Sequence, residues 1–346
     1  MKRMVRWVAA MCAVLGVGIG TGAVTGPGRS AGAAPAPYPV LWSFLPTAAL
    51  AAAENGPEVA PPGSNVPCSP SAEHPDPVIL VHGLAADQND NWQALSPFLA
   101  DNGYCVYSLT YGNMTSDPRP LDELGALTDM AASAEELAVF VEQVQTATHA
   151  SKVDIVGHSE GGTVPDYYLK FLGGSTAVAH FVTLSGVIHG TRLGGLAELY
   201  DLGAAYGFSP EETALAGPLC TACTQMFTGS AFMVSRDAPN AQASPTEAAT
   251  CPYDGAAVDG VSYTSLATQY DELVQPYTSD FIDPRCAGRT SGIGVDNIVV
   301  QHQCVTDLAD HVDISADPVA AQDVLNALDP AKAQPVRCVL TLPTVG

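Results

Sequence analysis

Residues Val153 to Gly162 read V-D-I-V-G-H-S-E-G-G, and they constrain the architecture more than any other stretch of the chain. Val153, Ile155 and Val156 make a β-branched run broken only by Asp154, as expected of a strand inside a sheet. A G-x-S-x-G pentapeptide, Gly157-His158-Ser159-Glu160-Gly161, follows at once. Beyond it a helix-forming stretch carries Tyr167, Tyr168, Leu169 and Phe171 to Gly173-Gly174, with Pro165 in its first turns. A strand that reverses into a helix so sharply leaves almost no room for side chains at the turn, hence glycine on both sides. The same strain lifts the serine hydroxyl clear of the sheet. The pentapeptide alone arises by chance in Gly-rich chains; the strand before it and the helix after it make it specific.

The start of the chain has its own pattern. Lys2, Arg3 and Arg6 precede an apolar run from Trp7 to about Val24, and Ser30 to Ala34 is a row of small residues. That order predicts a signal peptide over 1–34, removed near Ala33 or Ala34. A membrane anchor is the competing reading, but Gly16, Gly18, Gly20 and Gly22 interrupt the about 20 apolar residues that a span needs. Cys12 follows Ala10-Met11, without the small residue that lipoprotein processing prefers. An Ala/Pro/Gly-rich segment, 35–65, leads into the rest without a core of its own, although Trp42, Phe44 and Leu45 are placed to dock on it.

Residues 66–346 are long enough for one α/β domain with an insertion. The chain carries a formal charge of −23, and losing the four basic residues of the leader takes it to about −27. Nucleic acid and anionic membranes are therefore excluded as electrostatic partners. Cys12 apart, eight cysteines remain, an even set that in an exported protein predicts disulfides. Cys68 with Cys105 and Cys286 with Cys304 are the expected pairs. Cys220-Thr-Ala-Cys223 could be half of a metal site or a redox pair, but no second C-x-x-C or histidine cluster accompanies it, so bridging is expected there too.

Strands and helices alternate. Pro77–Val81 and Tyr104–Tyr111 read as strands with a helix from about Asn91 to Asp101 between them. Leu137, Phe140, Val141 and Val144 follow the i, i+3, i+4, i+7 spacing of an amphipathic helix. Strands are expected again at Ala179–Leu184, Val261–Leu266 and Val295–Val300, and a last helix at Pro318–Leu328. Alternation of this kind predicts an α/β fold with a mostly parallel, doubly wound sheet, whose site lies at the strands' carboxyl ends. The tract at about 193–250 departs from it and suits a cap-like insertion over that site.

A strand–elbow–helix unit on such a sheet resembles the α/β-hydrolases, in which an acid and then a histidine follow the serine along the chain. A serine hydroxyl is a weak nucleophile and needs that histidine as its base, and the base needs the acid to fix its tautomer. His74, His82 and His149 precede Ser159. His158 is on the elbow itself, expected to point away from the serine's face, and His180 and His189 belong to the next strand and its exit loop. His302 continues a strand beside a cysteine, which suits a structural role; His311, in the polar loop Asp310-His311-Val312-Asp313, is the expected base. Asp271, just past the strand Val261–Leu266, is the expected acid, with Glu272, Asp283 and Asp307 as alternatives. Backbone amides of Glu160 and Leu84, the latter in the loop Val81-His82-Gly83-Leu84, are the expected oxyanion donors.

Several motifs agree in order. Pro77 to Leu84, Gly157 to Gly162, Tyr263 to Tyr277, and Asp296 to Gln301 followed by Asp310-His311 resemble the secreted triacylglycerol lipases and esterases of actinobacteria, in the class 2 lipase group. The likeness runs from about Pro77 to Leu328 and places that family's serine at Ser159, its acid at Asp271 and its histidine at His311. It implies a secreted carboxylic ester hydrolase, free or held at the cell wall, acting on acylglycerols or similar lipid esters. It implies no metal or organic cofactor, a monomer, and transient contact with a lipid surface. Two readings stay open beside it: an acyltransferase working through the same acyl-enzyme, and a non-catalytic binding protein on the same fold.

Overall fold

The strands form where apolar, β-branched residues run together, and alternate residues of each face opposite sides of one sheet. In the computed structural model these are β1 (Val78–Val81), β2 (Val106–Leu109), β3 (Val153–His158), β4 (Val178–Leu184), β5 (Ser262–Ala267) and β6 (Val295–Val299). They pair in the order β2-β1-β3-β4-β5-β6, every pair parallel. The structure describes residues 37–44, 48, 51, 56–113, 124–192, 220–237, 257–282 and 294–343. The leader 1–34 and all but 220–237 of the expected insertion lie outside these residues, as do Leu45, Cys251, Asp283 and Cys286.

Both faces of the sheet are covered. On one side Ile79, Val81, Ile155, Phe181 and Tyr263 pack on α3 (Met130–Thr148) and α4 (Glu160–Phe171) through Leu137, Val141, Val164 and Leu169. On the other, Val78, Leu80, Val156, Val182 and Leu266 meet α2 (Leu95–Asp101) and α8 (Pro318–Leu328) through Leu99, Val319 and Val324. The alternation Val78/Ile79/Leu80/Val81 thus feeds two cores, the signature of a doubly wound sheet. Asp129 and Asp317 cap α3 and α8, each carboxylate accepting two amides of the first turn. The single expected helix Asn91–Asp101 is divided, a short α1 (Gln88–Asn91) ending at Trp92 before α2 begins. The buried indole of Trp92 occupies that corner.

Strand order changes direction between β1 and β3, which opens the crevice where α/β sheets place their ligands. The loop after β1 and the elbow after β3 face each other across it.

Cys68 bridges Cys105 as expected, tying the chain before β1 to the entry of β2, and Cys220 bridges Cys223. Cys304, however, pairs with Cys338 and not with Cys286. The C-terminal segment returns along the loop after β6, where the Leu308 amide donates to Thr341 at 3.0 Å. Connectivity followed that return, which nearness in sequence could not anticipate.

Candidate active site

The turn from β3 to α4 is made by Ser159 itself, at φ 55° and ψ −121°. A side chain in the positive-φ region costs about 1–3 kcal/mol and persists only where neighbours fix it. Here the Ser159 amide donates to Leu184 at 3.0 Å, and its carbonyl accepts from Gly162 at 2.9 Å and Val187 at 3.2 Å. A methyl on Gly157 would run into the Gly161 carbonyl, and one on Gly161 into the carbonyl of Val81. Both glycines are therefore required by close backbone approach.

The structure brings Ser159, His311 and Asp271 together. His311 Nε2 lies 2.9 Å from Ser159 Oγ, and His311 Nδ1 lies 2.9 Å from Asp271 Oδ2. Asp271 can only accept, so Nδ1 carries the proton and Nε2 is left to receive one from the serine. The second Asp271 oxygen accepts the amides of Leu273 at 3.0 Å and Val274 at 2.6 Å, which fixes the carboxylate plane. Thr268 Oγ1 donates to the Ala309 carbonyl at 2.6 Å and joins the acid loop to the histidine loop. All three side chains are buried. Burial pushes the His311 imidazole down, but Asp271, with Glu272 and Asp310 behind it, more than offsets this, and the net shift is upward.

The alternatives have other partners. Glu272 accepts the backbone N–H of His311 at 3.2 Å, Asp307 accepts the Ala309 amide at 2.9 Å, and His302 is exposed on the short α7 (Val300–Gln303).

His82 organises the loop after β1. The Tyr111 amide donates to its Nε2 at 3.3 Å, so Nδ1 holds the proton and donates to the Gly83 carbonyl at 2.8 Å. Burial depresses this imidazole to about 4, so it is neutral. In a trans peptide C=O and N–H point in opposite directions. Pinning the Gly83 carbonyl on His82 therefore turns the Leu84 N–H the other way, and no group among the described residues accepts it. A methyl on Gly83 would stand 3.0 Å from Ser159 Cβ, which shows how closely this loop meets the elbow serine. Opposite it, Glu160 opens α4, where the first N–H groups of a helix have no intrahelical acceptor. The Glu160 side chain is fully buried with both oxygens unpartnered among the described residues, and burial raises its carboxyl well above the usual range. So large a rise favours the uncharged form beside the two candidate oxyanion donors.

Above Ser159 opens a cavity of about 330 Å³. Phe44, Leu84, Val187, Met226, Val274 and Val312 give it a largely apolar wall. Phe44 comes from the N-terminal segment, whose backbone is tied down where the Phe44 amide donates to Asp313 at 3.1 Å. Trp42 packs edge-on against Phe98, as the sequence suggested.

Residues 75–251 match the family described as lipase (class 2), a region holding Leu84, Ser159 and Glu160 and ending before Asp271 and His311. The chain belongs to the class 2 lipase family. Over 96 residues it is 36% identical to a triacylglycerol lipase of Pseudarthrobacter phenanthrenivorans, covering 26% of this chain and 27% of that protein. A triacylglycerol lipase of Burkholderia plantarii matches at the same identity over 24% of its length. The aligned part thus spans about a quarter of each relative. Among solved structures, Aspergillus fumigatus lipase B superposes with a TM-score of 0.47 at 16% identity, covering 80% of this chain and 56% of that one. The mature form of Bacillus licheniformis lipase BlEst2 gives 0.45 at 18%, over 77% and 96%.

In this class 2 lipase the described part of the expected insertion, α5 (Thr221–Gln225) and α6 (Ala231–Asp237), meets a buried ion cluster that sequence reasoning missed. Arg236 is fully buried and pairs with Asp166 of α4 and with Asp237, and His189 Nδ1 lies 3.4 Å from Asp237. An isolated Arg in a sparsely charged tract was the available signal. His158, expected to point away from the serine's face, instead borders the cavity, and Asn91, which drew no notice in the sequence as a site residue, borders it too. No trio of His, Cys, Asp or Glu suited to a metal occurs among the described residues.

Proposed function

We propose that this chain is an exported serine hydrolase that cleaves acylglycerols or similar lipid esters through an acyl-enzyme. The hydrogen-bonded series Ser159–His311–Asp271, with 2.9 Å at each link, carries the reading. Ser159 Oγ attacks the ester carbonyl as His311 Nε2 takes its proton, and Asp271 stabilises the imidazolium that results. The Leu84 and Glu160 amides receive the oxyanion, worth about 3 kcal/mol per donor. His311 then protonates the departing alcohol, and water, deprotonated by the same imidazole, releases the acid. Every step uses protein groups and water, so the chemistry calls for no metal or organic cofactor. The apolar cavity suits an acyl chain, and the name of the relatives, triacylglycerol lipase, supports glycerol esters. Three disulfides among the described residues fit an oxidising, extracytoplasmic setting, consistent with a cleaved leader at 1–34.

Replacing Ser159 by Ala tests the assignment. Turnover of p-nitrophenyl esters is expected to fall by at least about a thousandfold with folding unchanged, and a fluorophosphonate probe should label the wild type only. Retained hydrolysis in the variant would refute the mechanism. An unlabelled, inactive wild type would favour the binding-protein reading, and acyl product formed on an added alcohol in place of free acid would favour the transferase.

A further inference from the structure

The base in this relay sits in a loop without regular secondary structure, so something other than a helix or strand must hold its main chain. Both polar backbone groups of His311 are bound by side chains. Its N–H donates to Glu272 Oε2 at 3.2 Å, and its carbonyl accepts from His158 Nε2 at 2.8 Å. Glu272 is the neighbour of Asp271, and His158 is the neighbour of Ser159. Each residue flanking a member of the relay thus reaches across to the backbone of the base.

His158 is fully buried, and its state follows from its surroundings. Burial, with the nearby His311, pushes the imidazole down to about 3, so the ring is neutral with one proton to give. The His311 carbonyl and Asn91 Oδ1 both only accept, so a neutral ring can serve one of them, and the shorter contact, 2.8 Å at Nε2 against 3.1 Å at Nδ1, places the proton on Nε2. Nδ1 lies 3.1 Å from Asn91 Oδ1, and the same oxygen accepts the Gly83 N–H at 3.0 Å. With the proton on Nε2, the donor to Asn91 Oδ1 is the Gly83 N–H, and His158 Nδ1 faces the same oxygen as a second acceptor. The ring also lies tilted over His311, centroids 5.2 Å apart. His158 therefore stands between the loop that offers the Leu84 amide and the loop that offers the base, and it bonds directly to the second.

We propose that His158 is a positioning residue for catalysis: its Nε2–H fixes the His311 main chain so that the imidazole meets Ser159 Oγ in line. A buried histidine could equally be a satisfied core residue. Two observations favour the sharper role. Its acceptor is the main chain of the base itself, and its ring borders the substrate cavity. The inference rests on the proposed serine mechanism, since a base has to be aligned only if it takes a proton from Ser159.

The test compares His158→Ala, His158→Phe and His158→Gln, because a Gln amide can still donate toward the His311 carbonyl whereas Ala and Phe cannot. In folded protein, Ala and Phe are expected to lower kcat by about 10- to 100-fold, the scale of a small misalignment of reacting groups. KM should change far less than kcat, since the lost donor acts on the His311 main chain and not on the ester. Gln should restore most of kcat. Labelling of Ser159 by a fluorophosphonate should slow in step with kcat, a readout that simple loss of stability would not move once the folded fraction is equal. Should the alanine variant not fold, the Phe–Gln pair carries the same comparison. Wild-type kcat in the Ala or Phe variant would overturn the proposal, and so would equally low kcat in folded Phe and Gln variants. A wild type that neither turns over esters nor takes the label would instead refute the serine mechanism.

Discussion

Asp271 does two things to His311, and they can be separated. Its Oδ2 orients the ring through Nδ1, and its charge, with those of Glu272 and Asp310, raises the imidazole above the ordinary value of about 6.5 despite burial. The base works only when neutral, so kcat/KM should fall on the acid side through an inflection above pH 6.5. In Asp271→Asn the carboxylate charge is gone while the amide can still occupy the site. The inflection should move to lower pH, and kcat should drop by about 10⁴-fold because the wrong tautomer is favoured. An unmoved acid limb in the variant would show that another group sets it. That Ser159, Asp271 and His311 converge could be read from the sequence because the elbow has a local signature and chain order removes most competing histidines. His158 could not. Its partner is a carbonyl 153 residues away, and nothing local distinguishes such a histidine from a packing residue. The Glu160 side chain was equally illegible, since only burial raises its carboxyl.

Elements were legible where period and composition agreed: all six strands and the helices α3, α4 and α8 fall where the apolar pattern puts them. Misreadings arose where long-range contacts decide, as at Trp92, which breaks one expected helix into two, and at Cys304. The corrected bridge carries a functional consequence. Cys304–Cys338 closes a loop of sequence separation 34, Cys68–Cys105 one of 37, so by chain entropy each contributes about 3–4 kcal/mol. Their positions differ. Cys304 leads into Asp307, Asp310 and His311, and the returning strand-like segment holds this loop at Leu308 and packs Thr341 Oγ1 on Asp317 at 2.9 Å. Cys68 and Cys105 sit at the opposite, amino end of β2. Cys304→Ser/Cys338→Ser is therefore expected to lower both Tm and kcat, whereas Cys68→Ser/Cys105→Ser lowers Tm alone. Thermal melts beside kcat for the folded fraction would check this, and equal kinetic losses in the two pairs would defeat it.

At the scale of the whole molecule, charge and buried acids pull stability and activity toward different pH. Burial raises the carboxyls of Asp90 and Asp317 to about 7 and those of Asp166 and Asp323 to about 6, and holds Glu160 and Asp280 well above the usual range. Unfolded, such groups titrate near 4. Between about pH 4 and 7 the folded protein thus binds more protons than the unfolded chain, and stability falls as pH rises through that window. His311 and His180, both raised when folded, act in the same direction, each losing its contribution as pH climbs past its folded value. Asp237, lowered by His189 and Arg236 against its burial, opposes this only near and below the unfolded carboxylate range. His82 and His158, lowered to about 4 and about 3, oppose it up to about pH 6.5, two groups against the six raised carboxyls, so the slope keeps its sign. The net charge of −23 adds self-repulsion that also grows toward neutral and alkaline pH. Tm should accordingly decline from pH 5 to pH 8 at fixed ionic strength, while kcat/KM climbs over the same interval as His311 becomes neutral. Added salt should recover part of the loss at pH 8, the part due to repulsion between surface charges, and leave the part due to buried carboxyls. A Tm that rises steadily from pH 5 to 8 would mean that the buried acids are ionised in the folded state, with cations or solvent reaching them. The raised Glu160 carboxyl beside Ser159 would then have to be abandoned, and with it the uncharged background it would give the proposed oxyanion donors.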